Sequence, residues 1–151
     1  MQLHLEGTNS ISSPRERVYS LLTDPGFISR SLPDAEDVRV LDEAALETKM
    51  KVRIAVVSAS LRMRMTIERT APPAKAALFA EGSGSGSSLR IRSTFELSGD
   101  ATTTMAWAAD ADITGVMAGI GSTVLKGFAT RKVAEIFSAI TKAVEAASSS
   151  P

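Results

Sequence analysis

One long amphipathic segment decides the fold of this chain: residues 116–147, VMAGIGSTVLKGFATRKVAEIFSAITKAVEAA. Apolar side chains recur there at steps of mostly three or four residues, which places them on one stripe of an α-helix. The stripe consists of Met117, Ile120, Val124, Phe128, Ile136, Phe137, Ile140 and Val144. At about 1.5 Å per residue, the helix would span roughly 45 Å. It needs a wide apolar partner surface, which we expect the rest of the chain to supply as a sheet.

The composition is that of one globular domain with balanced charge. The chain has 151 residues, 44% of them hydrophobic, with 17 Lys and Arg against 17 Asp and Glu. Nucleic-acid binders usually carry a basic excess, so we expect no nucleic-acid partner. The absence of cysteine excludes disulfides, thiolate nucleophiles and cysteine metal sites. The chain shows no signal-peptide core and no apolar run long enough to span a bilayer, so we expect a soluble, cytoplasmic protein.

Alternation of apolar and polar residues predicts seven strands before the long helix. The strands cover residues 3–11, 38–41, 46–56, 61–68, 76–81, 89–97 and 103–111. After the first strand, Pro14 opens one short helix and residues 27–32 form a second. Short connections between consecutive strands favour an antiparallel meander with one apolar face. The predicted fold class is therefore α+β, a seven-stranded antiparallel sheet wrapped around a long C-terminal helix, with two short helices after strand one.

This element order resembles the helix-grip fold of the START/SRPBCC superfamily, and several short motifs resemble one family within it. The motifs are residues 14–19 (PRERVY), 32–33 (LP), 65–68 (MTIE), 80–84 (AEGSG), 93–97 (STFEL) and 119–121 (GIG). Together and in this order they are similar to the G subunit of carbon monoxide dehydrogenase, although Asp34 stands where that family would have glycine. The resemblance implies a helix-grip ligand-binding domain over residues 1–147, with residues 148–151 as the start of a linker or short tail.

The same resemblance implies a non-catalytic accessory protein of aerobic carbon monoxide oxidation. Members are associated with membrane recruitment of a molybdenum hydroxylase and with binding of a respiratory quinone. We therefore expect no covalent cofactor, a bound quinone (menaquinone or ubiquinone) or lipid, a carbon monoxide dehydrogenase as partner, and peripheral contact with the inner face of the cell membrane. Two alternatives stay open: a cyclase- or dehydratase-type enzyme on the same fold, and a recruitment module with no ligand.

The predicted interior is apolar and adaptable. Met50, Met63 and Met65 should lie together on neighbouring strands, and methionine fits irregular apolar shapes. We predict that the ligand is bound by Phe27, Leu32, Met50, Val52, Met63, Met65, Ser93, Phe95, Met105, Trp107, Ala109, Met117, Gly119, Ile120 and Val124. The strand pairing places Ser93 opposite Trp107. Phe27 and Leu32 are expected to gate access to the ligand, near the glycine-rich turn 82–86.

Catalytic groups are scarce at the predicted inward positions. The polar residues there are Asn9, Thr48, Ser93 and Thr103, with no acid or base. General acid–base chemistry needs a titratable group facing the substrate, so we predict no catalytic residue and no metal ligand. The facing direction of Glu81 stays undecided, and His4 is predicted to lie on the surface.

The predicted outer face of strands three and four carries excess positive charge. The cations Lys49, Lys51, Arg53, Arg62 and Arg64 oppose only Glu47 and Glu68. Strand pairing is expected to place Arg53 opposite Arg64 or Arg62. We interpret this surface as a solvated sheet face, with docking of an acidic partner or anionic lipid as the alternative.

Overall fold

The computed structural model describes residues 1–33 and 35–149 as one antiparallel sheet that carries its helices on one face. Its elements are β1 (Gln2–Ile11), α1 (Arg15–Leu22), α2 (Pro25–Ser31), β2 (Ala35–Asp42), β3 (Ala45–Ile54), β4 (Val57–Ala71), β5 (Lys75–Gly84), β6 (Ser87–Ser98), β7 (Thr103–Gly115), a 3-10 segment (Val116–Ile120) and α3 (Ser122–Ser149). The strand order is β1-β7-β6-β5-β4-β3-β2. The predicted α+β fold class is confirmed. The loop at Asp34 and the end of the predicted tail, residues 150–151, lie outside the described residues.

Two tight turns set the register of the central hairpins. Gly84 pairs with Ser87, so Ser85 and Gly86 form a two-residue turn with φ of 51° and 75°. Positive φ at both positions is typical of a type I′ hairpin turn. Between β3 and β4, Ala55 and the next residue form an equally short turn, with Ala55 at φ 55°. Both hairpins therefore reach the same end of the molecule without an intervening loop.

The short β3–β4 turn corrects the predicted pairing of the basic residues. Arg53 pairs with Ser58, and Arg62 pairs with Lys49. The predicted strand bounds, residues 56 and 61, implied a loop of about four residues, whereas the turn between Ile54 and Val57 contains two.

A second correction concerns β6 and β7. Trp107 lies opposite Phe95, and Ser93 lies opposite Ala109, so the predicted pairing of Ser93 with Trp107 is wrong by two residues. The connection keeps its predicted length but lies one residue later in the chain, since Ser98 still pairs with Thr104, and this displacement moves every pair by two residues.

The long helix begins later than the apolar spacing predicts. Val116–Ile120 is a 3-10 segment, and Gly121 follows with φ of 103°, so the α-helix starts only at Ser122. This break shifts the phase of the buried stripe. Leu125 is consequently buried at 2% exposure, whereas Val124 is 46% exposed. The prediction that Val124 lines the interior is therefore wrong.

Two fully buried clusters fix the helices to the sheet, one near each end of α3. The α1–α2 core contains Ile11, Val18, Tyr19, Leu22, Phe27, Ile28, Leu46, Ala76, Leu97, Met105, Ile140 and Val144. The α3-start core contains Leu3, Ile54, Ala59, Leu61, Met63, Ala80, Ile113, Met117 and Leu125. Met65, which is only partly buried, packs against both cores. The interior is thus tightly packed at its two ends.

Candidate functional site

The middle of the sheet, between the two cores, is more open than either end. Leu5, Ala109, Ser93 and Leu78 pair in a row across β1, β7, β6 and β5 and face α3. All four are only partly buried, whereas Ile11 farther along β1 is 0% exposed. Solvent therefore reaches an inward, largely apolar floor between the sheet and α3. We call the space between this row and α3 the central cleft and take it as the candidate site, because small-molecule sites are mostly apolar with few polar groups.

Trp107 stands beside this floor and is held on three sides. Its Nε1 donates a hydrogen bond to Asn9 Oδ1 at 2.8 Å. Its ring packs against Phe137 of α3, with centroids 4.8 Å apart and a tilt of 37°. It also covers Gly7, where an added Cβ would lie 2.8 Å from Trp107 Cζ2. The missing side chain at Gly7 therefore provides the space that the indole occupies.

Four inward polar side chains divide into two kinds. Thr48 and Thr103 are fully buried, and their hydroxyls donate to the backbone carbonyls of Glu36 at 2.8 Å and Ser13 at 2.7 Å. The hydroxyl of Ser93 and the amide nitrogen of Asn9 are half-buried and have no protein partner within residues 1–33 and 35–149. These two groups are the hydrogen-bond donors that a ligand oxygen could use in the central cleft.

The strand positions that face α3 carry few titratable groups. The inward positions of β1 and β3–β7, strands described over their whole length, carry no acid, histidine or lysine. Glu81, whose direction the sequence left undecided, is exposed on the outer face and pairs with Arg64 and Arg90. In the described part of the chain, no three His, Cys, Asp or Glu side chains group to hold a metal. Proton transfer by these strands therefore has no group inside the cleft.

The pKa values of Tyr19 and His4 are shifted, and both side chains lie away from the cleft. Burial raises the pKa of Tyr19, whose hydroxyl donates to the carbonyl of Lys75 at 2.9 Å. His4 is exposed on the outer face, as predicted, with Nδ1 2.7 Å from Asp110 and Nε2 3.2 Å from Glu6. The hydrogen bonds to these two carboxylates raise the pKa of His4.

The structure separates the predicted ligand-binding residues into three groups. The half-buried group comprises Leu32, Met50, Val52, Met65, Ser93, Phe95, Trp107, Ala109 and Ile120. Phe27 and Met105 belong to the α1–α2 core, and Met63 and Met117 belong to the α3-start core. Gly119 is exposed, and a Cβ there would meet no atom within 4 Å, so its predicted place in the interior is wrong for the same reason as that of Val124.

The two segments of the predicted gate do not lie near each other in the structure. Phe27 is 6% exposed and anchors α2 in the α1–α2 core. The start of α2 is fixed by Asp24, whose carboxylate accepts a hydrogen bond from the Gly26 amide at 2.9 Å. The turn 84–86 lies at the opposite end, where the Gly86 carbonyl accepts from the Val116 amide. Sequence reasoning also missed the roles of Asn9 and Gly7, which depend on the β1–β7 register.

The fold and the cleft together define a helix-grip protein of the START/SRPBCC class. Solved structures that share this fold include the following three. A conserved protein from Geobacillus kaustophilus is 22% identical with a TM-score of 0.84, and covers 94% of this chain and 95% of that one. The Zhui aromatase/cyclase from Streptomyces sp. R1128 is 15% identical with a TM-score of 0.69, over 96% and 94%. A START superfamily protein from Mycobacterium smegmatis is 14% identical with a TM-score of 0.64, over 96% of both chains.

The chain belongs to the CoxG family, the G subunit of carbon monoxide dehydrogenase, whose profile matches residues 7–145. The predicted resemblance is thereby confirmed. No curated protein sequence matches this chain. Within residues 1–33 and 35–149, the helices are either too short or too polar to cross a membrane.

Proposed function

We propose that the protein is a non-catalytic accessory protein that carries a respiratory quinone, menaquinone or ubiquinone, in its central cleft. It links a molybdenum carbon monoxide dehydrogenase to the respiratory membrane. The observation that carries the proposal is the half-buried apolar floor beside Trp107, between two buried cores. Membership of the CoxG family supports the choice of partner enzyme.

The chemistry of the cleft suits a flat ring with carbonyl oxygens and an apolar tail. Trp107 and Phe137 offer aromatic faces, and aromatic rings prefer offset or tilted stacking on such surfaces. The Ser93 hydroxyl and the Asn9 amide nitrogen can each donate a hydrogen bond to a carbonyl oxygen. Burying roughly 400 Å² of apolar ligand surface contributes about 10 kcal/mol at 25 cal/mol/Å². Lost freedom cancels several kcal/mol of this, which leaves micromolar affinity, about −8 kcal/mol.

Quenching of Trp107, the single tryptophan, tests the proposal directly. Delipidated protein is titrated with a short-chain menaquinone or ubiquinone analogue, and emission and melting temperature are recorded. We expect saturable quenching at micromolar ligand, and a melting temperature that rises once ligand exceeds the dissociation constant. Ala109→Leu places a larger side chain on the floor of the cleft and should abolish both effects. Ala106→Leu is the matched control, because Ala106 lies on the same strand but is exposed on the outer face.

The outcomes separate the carrier from a recruitment module without ligand. If no quinone quenches wild-type Trp107 saturably, or if both alanine variants bind equally well, the carrier function fails. Binding to the purified molybdenum hydroxylase is measured independently, with and without quinone. Hydroxylase binding without any quinone binding would make the recruitment module the better account. If the protein binds quinone but not the hydroxylase, the carrier function stands and the hydroxylase is not its partner.

A further inference from the structure

Three chain connections meet at the end of the molecule where α3 begins. The β3–β4 turn lies there because Ile54 and Ala59, on either side of it, share the α3-start core with Met117. The β5–β6 turn joins them through two hydrogen bonds, from the Ser60 amide to Ser85 Oγ at 3.0 Å and from the Met117 amide to Ser87 Oγ at 3.0 Å. These connections form one continuous surface, which we call the apolar tip.

The apolar tip exposes large aliphatic side chains. Val56 is 95% exposed at the end of the β3–β4 turn, Val116 is 55% exposed after β7, and Val124 is 46% exposed on the first turn of α3. Only two other large apolar residues in the described part of the chain, Val40 and Leu41, are comparably exposed. A single exposed valine is common on protein surfaces, but several exposed aliphatic side chains at one end of a molecule mark an interaction surface.

The segments that build the apolar tip carry cations and no acids. Residues 48–67, 82–95 and 113–134 contain no Asp or Glu. They contain Lys49, Lys51, Arg53, Arg62, Arg64, Arg90, Arg92, Lys126, Arg131 and Lys132. Ten of the 17 Lys and Arg residues lie in these segments and all 17 Asp and Glu lie outside them. One of these acids, Glu36, lies 3.6 Å from Lys51. Asp112, next to Arg90, borders the last of these segments.

A shallow depression beside the apolar tip provides a polar site on the same surface. It has a volume of about 340 Å³ and is lined in part by Lys51, Arg53, Ser58, Ser60 and Ser85. In a lipid monolayer, phosphates lie above the acyl chains. The two cations and three hydroxyls of this depression suit the phosphates, and the exposed Val56 nearby suits the acyl chains.

We propose that the apolar tip docks on an anionic lipid bilayer, with Val56 inserted between headgroups and the surrounding Lys and Arg side chains on lipid phosphates. This orientation turns the start of α3 toward the bilayer, next to one end of the central cleft. The proposal rests on the proposed function for its purpose, the transfer of an apolar ligand, but the docking itself requires no quinone. Cations near an anionic leaflet contribute about 1 kcal/mol each, which is about five-fold in affinity.

Sedimentation with vesicles tests the docking. Wild-type protein is mixed with phosphatidylcholine vesicles, with and without phosphatidylglycerol, at low and high salt. We expect binding only to the anionic vesicles and a loss of binding as salt screens the exposed charges. Val56→Asp should weaken binding at least ten-fold, and Arg53→Glu combined with Lys126→Glu should weaken it by about 25-fold or more. All three positions are exposed, so the variants should melt like wild type.

Matched controls change the same residue types away from the apolar tip. Val40→Asp alters a 51% exposed valine on β2, and Lys142→Glu reverses a charge near the other end of α3. Both controls should bind anionic vesicles like wild type. Equal binding by tip and control variants, or wild-type binding that ignores phosphatidylglycerol, would overturn the proposal. So would tip variants that keep vesicle binding and lose only the hydroxylase, because the surface would then fit an acidic protein.

The same variants keep this inference separate from quinone carriage. Quenching of Trp107 by a soluble quinone analogue, without vesicles, should be unchanged in the tip variants. Loss of vesicle binding with retained quenching supports the docking surface. If no quinone quenches Trp107 but vesicle binding still depends on the apolar tip, the docking surface stands and the carrier function is wrong.

Discussion

The packing of Trp107 against Gly7 predicts how much stability is lost when a single methyl group is added at position 7. In Gly7→Ala, the new Cβ would lie 2.8 Å from Cζ2 and 3.1 Å from Nε1 of Trp107. Carbon atoms pack at about 3.6 Å, so the indole must move by about 0.8 Å. That movement stretches the 2.8 Å bond to Asn9 toward a distance of about 3.6 Å, at which no hydrogen bond remains.

The expected cost combines three terms of similar size. Losing the hydrogen bond costs about 1 kcal/mol, and disturbing the stack on Phe137 costs about 1 kcal/mol. Replacing a strand glycine by alanine offsets roughly 0.5–1 kcal/mol of this. We therefore expect Gly7→Ala to lower the free energy of unfolding by about 1 kcal/mol.

Urea denaturation and Trp107 emission measure the two consequences together. The urea midpoint should fall with an unchanged m-value, and emission should shift to longer wavelength as the indole loses its contacts. The matched control is Gly119→Ala, because a Cβ at Gly119 meets no atom within 4 Å. The control should be neutral or up to about 1 kcal/mol stabilising. A Gly7→Ala protein as stable as wild type, with unchanged emission, would refute this reasoning.

Three further predictions concern the edges of the fold. The hydrogen bond to Asp110, and then that to Glu6, raise the pKa of His4 above 6.5, so protonated His4 stabilises the fold fully below pH 6.5 and this stabilisation is lost as pH rises through the folded pKa. In urea titrations, the difference in free energy of unfolding between wild type and His4→Gln should therefore shrink across that window. A difference that stays constant with pH would contradict this expectation. Thr48→Val removes the buried hydroxyl that donates to the Glu36 carbonyl at 2.8 Å and should cost about 1–2 kcal/mol in thermal or urea unfolding, against no change if this bond contributes nothing. Ala55→Gly relieves a left-handed alanine at φ 55° and should stabilise the protein by about 0.5–1 kcal/mol; a lower melting temperature would show that the turn carries no strain.

Periodicity identified the strands because each has one buried and one solvated face. The inward positions of β6 and β7 follow the alternation predicted from the sequence, from Leu89 to Leu97 and from Thr103 to Ala111. The edge strand β2 was found only as residues 38–41, although it covers Ala35–Asp42. Its register shifts and its left-handed Asp37 break the alternation on which such a prediction depends.

The candidate site was harder to predict, since its key relations join residues far apart in sequence. The single tryptophan and its inward direction followed from alternation, but its packing on Gly7 depends on the β1–β7 pairing. Half-buried and fully buried inward residues also look alike in sequence: Met63 is 4% exposed, whereas Met65, two residues later, remains partly open. The difference comes from Gly82 beside Met63, whose missing Cβ makes room for the thioether.

The arrangement of two cores separates the residues that hold the fold together from the half-buried residues that the proposed ligand would contact. Truncating Val144, which is 0% exposed in the α1–α2 core, removes packing that the fold needs. The row of Leu5, Ala109, Ser93 and Leu78 contributes less, because solvent already reaches these side chains. Substitutions along this row can therefore change which molecule fits without unfolding the chain. That freedom is consistent with one helix-grip fold serving proteins of different function, among them an aromatase/cyclase. The inward side chains of β1 and β3–β7 form here a largely apolar surface with hydroxyl and amide groups and with no acid, histidine or lysine.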